Sequence, residues 1–207
     1  MSGQRADYFA NHANKLRFPW SLYHRPLVDR FARELAAVAG ARVLNVGSGP
    51  FLERPSFPPG CDYHACDVDP QAVEAVAARY PDVPAALIRP GEPLPYPDGT
   101  FDVVMASEVI EHVVDAGPWL DELLRVLRPG GRLLLTTPNY GWSTLPLIER
   151  TVLELVARRQ GFTRRGIHPN KLTRRTLRRL LASKPVRDIG IDSVSFGWVL
   201  FARCTKR

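Results

Sequence analysis

"ARVLNVGSGPFLERPSFPPGCDYHACDVDP", residues 41–70, is the stretch on which the fold turns. Val43, Leu44 and Val46 make a short apolar run that enters the turn Gly47-Ser48-Gly49, and a second run ends at Asp67-Val68-Asp69. Apolar runs of this length, bounded by Gly and Pro, read as buried strands. A strand, a glycine turn and an acid about twenty residues on outline a nucleoside-binding α/β unit. Pro50, Pro55, Pro58 and Pro59 stand where the helix of such a unit would run. Proline removes a backbone donor and clashes with the preceding turn, so a tight loop is expected to carry the chain straight to the second strand.

Outward from this stretch, strand-like and helix-like segments alternate to residue 137, which predicts a parallel sheet with helices on its faces. "AALI", "FDVVMAS" and "RLLLTTP" read as the third, fourth and fifth strands. Asp69 is placed to cap the helix that Pro70 opens. Leu120, Leu123, Leu124 and Leu127 fall at helical spacing between Pro118 and Pro129-Gly130. "VRDIGIDSV" and "GWVLFARC" read as two strands joined by a turn at Ser195–Gly197, an antiparallel pair. The expected architecture is α/β: a Rossmann-like doubly wound sheet of about seven strands, five parallel plus a C-terminal antiparallel hairpin. One domain is expected over residues 1–207, with an N-terminal helical lid over 1–40 and a substrate-cap insertion over 139–184.

Composition narrows the class. At 207 residues the chain suits one domain with a full core. No apolar run approaches the ~20 residues of a membrane span, and "MSGQRADYFANHANK" lacks the apolar stretch of a secretory signal. Cys61, Cys66 and Cys204 are odd in number and lack metal-site spacing, which fits reduced structural thiols and a cytoplasmic location. The net charge of +7 is uneven: from Arg150 to Arg187 there are 12 Lys or Arg against one acid, Glu154. Such a segment can meet phosphate, nucleic acid or an anionic membrane surface, or serve as a solvated helical face.

Four stretches, "VLNVGSGP", "CDVDP", "LPYPDGTFDVVMASEVIEHV" and "LRVLRPGGRLLLTTPN", give the chain its resemblance to the class I S-adenosylmethionine-dependent methyltransferases of the type 11 superfamily. The resemblance extends over about residues 41–205. It implies an enzyme that binds S-adenosylmethionine, with Asn45, Gly47, Ser48 and Gly49 in the glycine turn, Asp67 on the ribose hydroxyls, Val68 beside it, Glu92 near the adenine, and Ser107 and Glu108 at the methionine end. A nicotinamide-dependent oxidoreductase shares the strand–turn–acid logic, but its fingerprint needs a third glycine opening a helix, and "GSGPFLERP" has none. Three departures from the family stand out: Asn45 where an acid is usual, Pro50 in place of the third glycine, and Arg89-Pro90 where relatives carry Gly-Asp.

For the chemistry, the residues converge on "SEVIEHV". If Glu108 opens a helix, Glu111 and His112 follow three and four residues on, along one face. His112 is the expected general base, because imidazole titrates near neutral pH; Glu111 and His168 complete the expected catalytic set. Glu108, Glu111, His112 and His168 also resemble the ligands of two metal-assisted subfamilies, which methylate the terminal 2′-hydroxyl of small RNAs or catechol oxygens in ubiquinone biosynthesis. A divalent Mg²⁺ or Mn²⁺ would suit such a mixed oxygen and imidazole set. The expected reaction is O-methylation of a small-molecule acceptor. RNA 2′-O-methylation and a pseudo-methyltransferase are the alternatives, and nucleic acid or an anionic membrane surface could be met through residues 150–187.

Overall fold

The computed structural model describes residues 21–141 and 169–207. Helix α1 (Ser21–Ala36) leads into β1 (Arg42–Val46), a 3₁₀ turn (Arg54–Ser56), β2 (Asp62–Asp67), α2 (Pro70–Arg79) and β3 (Ala85–Leu87). Then come β4 (Phe101–Ser107), a second 3₁₀ turn (Ile110–His112), α3 (Ala116–Val126), β5 (Leu127–Pro138), α4 (Arg174–Ala182), β6 (Val186–Val194) and β7 (Val199–Lys206). The seven strands form one sheet in the order β3-β2-β1-β4-β5-β7-β6. The first five pair in parallel, while β7 runs antiparallel to both β5 and β6. That is the doubly wound sheet with a terminal hairpin expected from the sequence, and its strand order reverses between β1 and β4, where ligands of such sheets bind.

Strand alternation sends side chains to two cores. One face joins Leu44, Val46, Val104 and Leu133 to the leucines of α3 and to Leu177 and Leu181 of α4. The other joins Val43, Ala65, Met105 and Leu134 to Phe31 and Leu35 of α1 and Val76 of α2. Leu27, Phe31 and Leu35 are at most 2% exposed, so α1 packs as a layer of the domain. Residues 1–20 and 142–168, which hold the rest of the expected lid and most of the expected cap, lie outside the described residues.

The proline-rich link after β1 has a physical solution. Phe51 and Phe57 are buried, and their rings meet Tyr63, with Phe51 also against Tyr80. Arg54 lies 4.2 Å over the Tyr63 ring. These aromatics fill the layer that a longer helix would cover, so the short loop and its 3₁₀ turn seal the core. Asp69 caps α2 as expected, its carboxylate accepting the N–H of Gln71. Helix α3 begins earlier than expected, capped by Asp115, and tolerates Pro118 in its first turn, where no helical partner is lost.

Candidate functional site

At the carboxyl ends of the central strands, backbone hydrogen bonds fasten the glycine turn to β2. The N–H groups of Gly47 and Ser48 both donate to the carbonyl of Cys66, at 2.8 and 3.2 Å. The Asp67 carboxylate accepts the N–H of Gly49 at 2.7 Å on one oxygen and that of Asp69 at 2.9 Å on the other. Asp67 is 9% exposed. Each of its oxygens keeps a further lone pair, enough for two hydroxyl donors side by side. Ser48 is buried, its hydroxyl turned onto the carbonyl of Gly49.

The two glycines serve different ends. Gly47 has φ +69°, and a Cβ there would fall 2.5 Å from a methyl of Val109. Gly49 has φ +52°, yet a Cβ would meet no atom within 4 Å. Gly47 is therefore demanded by packing, whereas Gly49 borders open space beside the carboxylate. Asn45 lies on the α1 face of the sheet, 1% exposed, and its buried Nδ2 has no hydrogen-bond partner among the described residues. A buried amide without a partner costs free energy until something supplies one.

Ser107 and Thr136 stand opposite one another on β4 and β5, hydroxyl to hydroxyl at 3.1 Å. The Glu108 N–H bonds the Thr136 hydroxyl at 3.1 Å and its carbonyl at 3.2 Å. Those bonds hold Glu108 at φ +58°, the left-handed region that a non-glycine residue enters at a cost. The chain then makes a 3₁₀ turn, not the α-helix expected from "SEVIEHV". Glu108, Glu111 and His112 consequently do not share a helical face. Glu111 is 1% exposed and His112 is exposed, while Glu108 accepts the Tyr23 hydroxyl at 2.8 Å. Among the described residues no three His, Cys, Asp or Glu side chains gather as a metal site. The mixed carboxylate and imidazole set expected from the spacing is thus not assembled by these three, and His168 lies outside the described residues.

Val68 and Leu87 are exposed apolar side chains at the ends of β2 and β3, 55% and 53% accessible, with Leu87 paired in register to Asp67. Glu92 is exposed and faces Arg89 at 3.6 Å. Two further residues position the site. Tyr23 reaches the site from α1. Asn170 clamps the turn after β4, its Nδ2 donating to the carbonyls of Ile110 and Val113 and its N–H to that of Glu111. The only sequence signal for Asn170 is its place in "HPNK", just ahead of the Thr173 cap of α4.

The loop before β4 is drawn in by Arg125. Its guanidinium donates to both oxygens of Glu122, to Asp98 and to the carbonyls of Leu94 and Tyr96. The Arg125 hydrogen bonds hold the Glu122 carboxyl below the usual carboxylate range. At the opposite end of the sheet, a cleft of about 310 Å³ is lined by Gly40, Asp102, Arg128 and Arg132. It lies at the amino ends of the strands and touches none of the groups above.

Residues 44–135 match the family model described as a methyltransferase domain. The chain is 48% identical over 130 residues to a "probable S-adenosylmethionine-dependent methyltransferase" of Mycolicibacterium smegmatis, covering 58% of this chain and 46% of that protein. It is 34% identical over 123 residues to a ubiquinone biosynthesis O-methyltransferase of Nitrobacter winogradskyi, covering 58% and 47%. The chain thus spans about half the length of the curated relatives it matches. Its fold is that of a SAM-dependent methyltransferase from Aquifex aeolicus, at a TM-score of 0.70 and 17% identity over 95% of this chain and 98% of the other. Residues 44–135 thus match a methyltransferase domain, and the sheet that contains them has the fold of that solved methyltransferase.

Proposed function

We propose that this chain transfers a methyl group from S-adenosylmethionine to an oxygen of a small-molecule acceptor. The observation that carries the reading is the clamp of Asp67 on the Gly49 N–H, which sets a carboxylate beside the open side of a glycine turn. The residues present fit an adenosyl amino acid. Asp67 offers two lone pairs to ribose hydroxyls, and Val68 and Leu87 offer apolar surface to a base. The orphaned Asn45 amide offers a donor to the amino-acid carboxylate. Asn45 replaces the acid usual in the family, so it can accept a hydrogen bond from the methyl donor's ammonium group but forms no ion pair with it. Glu92 remains within the proposed adenine end, next to Arg89.

A sulfonium donor supplies an already activated methyl group, so the chain has to orient the acceptor and take up its proton. His112, exposed on the turn after β4, is the proposed base for the acceptor hydroxyl. Glu111, buried under the same turn, supports it, and His168 is the second proposed proton carrier. Ser107 and Glu108 border the donor's methionine end, with Tyr23 holding the Glu108 carboxylate. Oxygen as the methylated atom is supported by the name of the Nitrobacter relative.

Isothermal titration with S-adenosylhomocysteine tests this. Binding heat and a raised melting temperature are expected, with both abolished by Asp67→Ala. A folded wild-type protein that gives no heat with either form of the cofactor overturns the proposal.

A further inference from the structure

Helix α4 is charged in a way that local helix physics disfavours. Arg174, Arg175, Arg178 and Arg179 are all exposed, and the helix carries no acid. Arg174 with Arg178, and Arg175 with Arg179, are like charges one turn apart, which repel. Arg174 and Arg175 also occupy the first turn, where the positive end of the helix dipole opposes them. Its first-turn cap is a neutral Thr173–Thr176 box, which offsets none of this charge. Leu177 and Leu181 anchor the opposite face in the core. The arginine face is thus held rigidly outward at a cost that something outside the chain can recover.

Two exposed apolar side chains lie on segments tied to the start of this helix. Val114 is 93% accessible and follows Val113, whose carbonyl is held by Asn170 just ahead of α4. Phe196 is 74% accessible at the tip of the β6–β7 turn. The guanidinium of Arg174 lies 3.5 Å from the hydroxyl of Ser193, three residues before Phe196. That turn has positive φ at Ser195, Phe196 and Gly197. The Ser195 hydroxyl bonds the Tyr23 carbonyl at 2.6 Å, and Asn139 Nδ2 bonds the Gly197 carbonyl at 2.8 Å. Strain is therefore accepted to present an aromatic ring to solvent, on the rim that also carries the glycine turn and the turn after β4.

We propose that this rim docks on an anionic lipid bilayer, with the α4 arginines on lipid phosphates and Phe196 and Val114 entering the headgroup boundary. Arginines beside exposed aromatics also suit single-stranded nucleic acid. A bilayer is favoured because Phe196 and Trp198 are tilted 54° to one another and form no parallel stacking platform. Val114 is aliphatic and offers a base no aromatic ring to stack on. No helix among the described residues is long and apolar enough to cross a membrane; the proposed contact is one of surface docking. It would turn the proposed acceptor site toward the bilayer and so favours an acceptor dissolved in lipid. That last step rests on the methyl-transfer reading; the docking itself does not.

The test is sedimentation of the full chain with phosphatidylcholine vesicles, with and without phosphatidylglycerol, at low and high salt. Binding is expected only with phosphatidylglycerol and should weaken as salt rises. Each surface arginine contributes about fivefold, so replacing Arg175, Arg178 and Arg179 together by Gln should weaken binding on the order of a hundredfold. Phe196→Ser should weaken it roughly tenfold, with an unchanged melting temperature because the ring is exposed. Absence of phosphatidylglycerol-dependent sedimentation, or undiminished binding by the triple variant, overturns the proposal. So does a wild-type chain that shifts single-stranded RNA in a gel but leaves the vesicles alone. Sedimentation is read without cofactor, so its failure leaves the titration with S-adenosylhomocysteine unaffected, and the reverse also holds.

Discussion

Replacing Gly47 and Gly49 by Ala, one at a time, separates the scaffold from the ligand cradle. Both residues have left-handed backbones, at φ +69° and +52°, so each substitution costs about 1–2 kcal/mol from its own Cβ. Only Gly47→Ala meets an obstacle, because the new Cβ would lie 2.5 Å from one Val109 methyl and 3.4 Å from the other. Overpacking of that kind adds roughly 1–3 kcal/mol. For a chain of this size the sum lowers the melting temperature of Gly47→Ala by roughly 10 °C, against roughly 4 °C for Gly49→Ala. Cofactor affinity should show the reverse order. Gly49→Ala puts a methyl into the open space beside Asp67, and binding of S-adenosylhomocysteine should fall by at least about tenfold. Thermal melts with and without that ligand, plus titration calorimetry, read both effects. Val109→Ala should recover part of the Gly47→Ala loss, since it removes the two methyls at fault, and the coupling can be read from a double-mutant cycle. Equal destabilisation by the two substitutions, or no rescue by Val109→Ala, would refute the assignment of Gly47 to packing. Wild-type affinity in Gly49→Ala would refute the cradle.

Alkali should unfold the protein through its thiols. Burial pushes both Cys66 and Cys204 from 9.0 up to about 12, and burial also raises Tyr63 and Tyr96. The folded state therefore holds protons that the unfolded state releases near pH 9, so stability is complete below about pH 9 and declines toward about pH 12. A denaturant midpoint that stays flat over that range, or rapid labelling of Cys66 in the native protein at neutral pH, would contradict the burial. Arg125→Lys keeps the charge but loses the fork that joins Glu122, Asp98 and two carbonyls. With Arg125 partly exposed, a loss of about 1–2 kcal/mol in denaturant melts is expected, and a change below about 0.5 kcal/mol would show that the 94–98 loop does not depend on it.

What was legible in the sequence is what local chemistry sets. Gly47, Gly49 and the prolines punctuate β1 and β2, and Asp69 caps α2 as its position ahead of Pro70 implies. The terminal hairpin follows from two alternating runs around Ser195–Gly197. The segment 108–112 reads as a helix in sequence because its local pattern is helical, yet it folds as a 3₁₀ turn. Its conformation is decided elsewhere, by Thr136 on β5, which takes the Glu108 N–H on both its oxygens and fixes a left-handed backbone. No periodicity within the segment reports a bond to a residue 28 positions away. Phe51 is a similar case, a left-handed residue outside glycine whose burial among aromatics offsets its strain.

The same division runs through the site. Its proposed cofactor half is made of backbone, with the N–H groups of Gly47, Ser48 and Gly49 tied to Cys66 and Asp67, and glycines and a strand-end acid announce such a construction. The proposed acceptor half is made of side chains brought from separate segments. Tyr23 holds Glu108, Asn170 holds the turn after β4, Asn139 holds the β6–β7 turn, and Ser195 ties that turn back to Tyr23. The shortest of these bonds in sequence, from Asn170 to Val113, still spans 57 residues, and that from Asn139 to Gly197 spans 58. Closed into one rim, they join α1, the β4 turn and the hairpin. A substitution at Tyr23 or Asn170 should therefore alter acceptor recognition while leaving the cradle at Asp67 intact, since none of these bonds passes through the glycine turn.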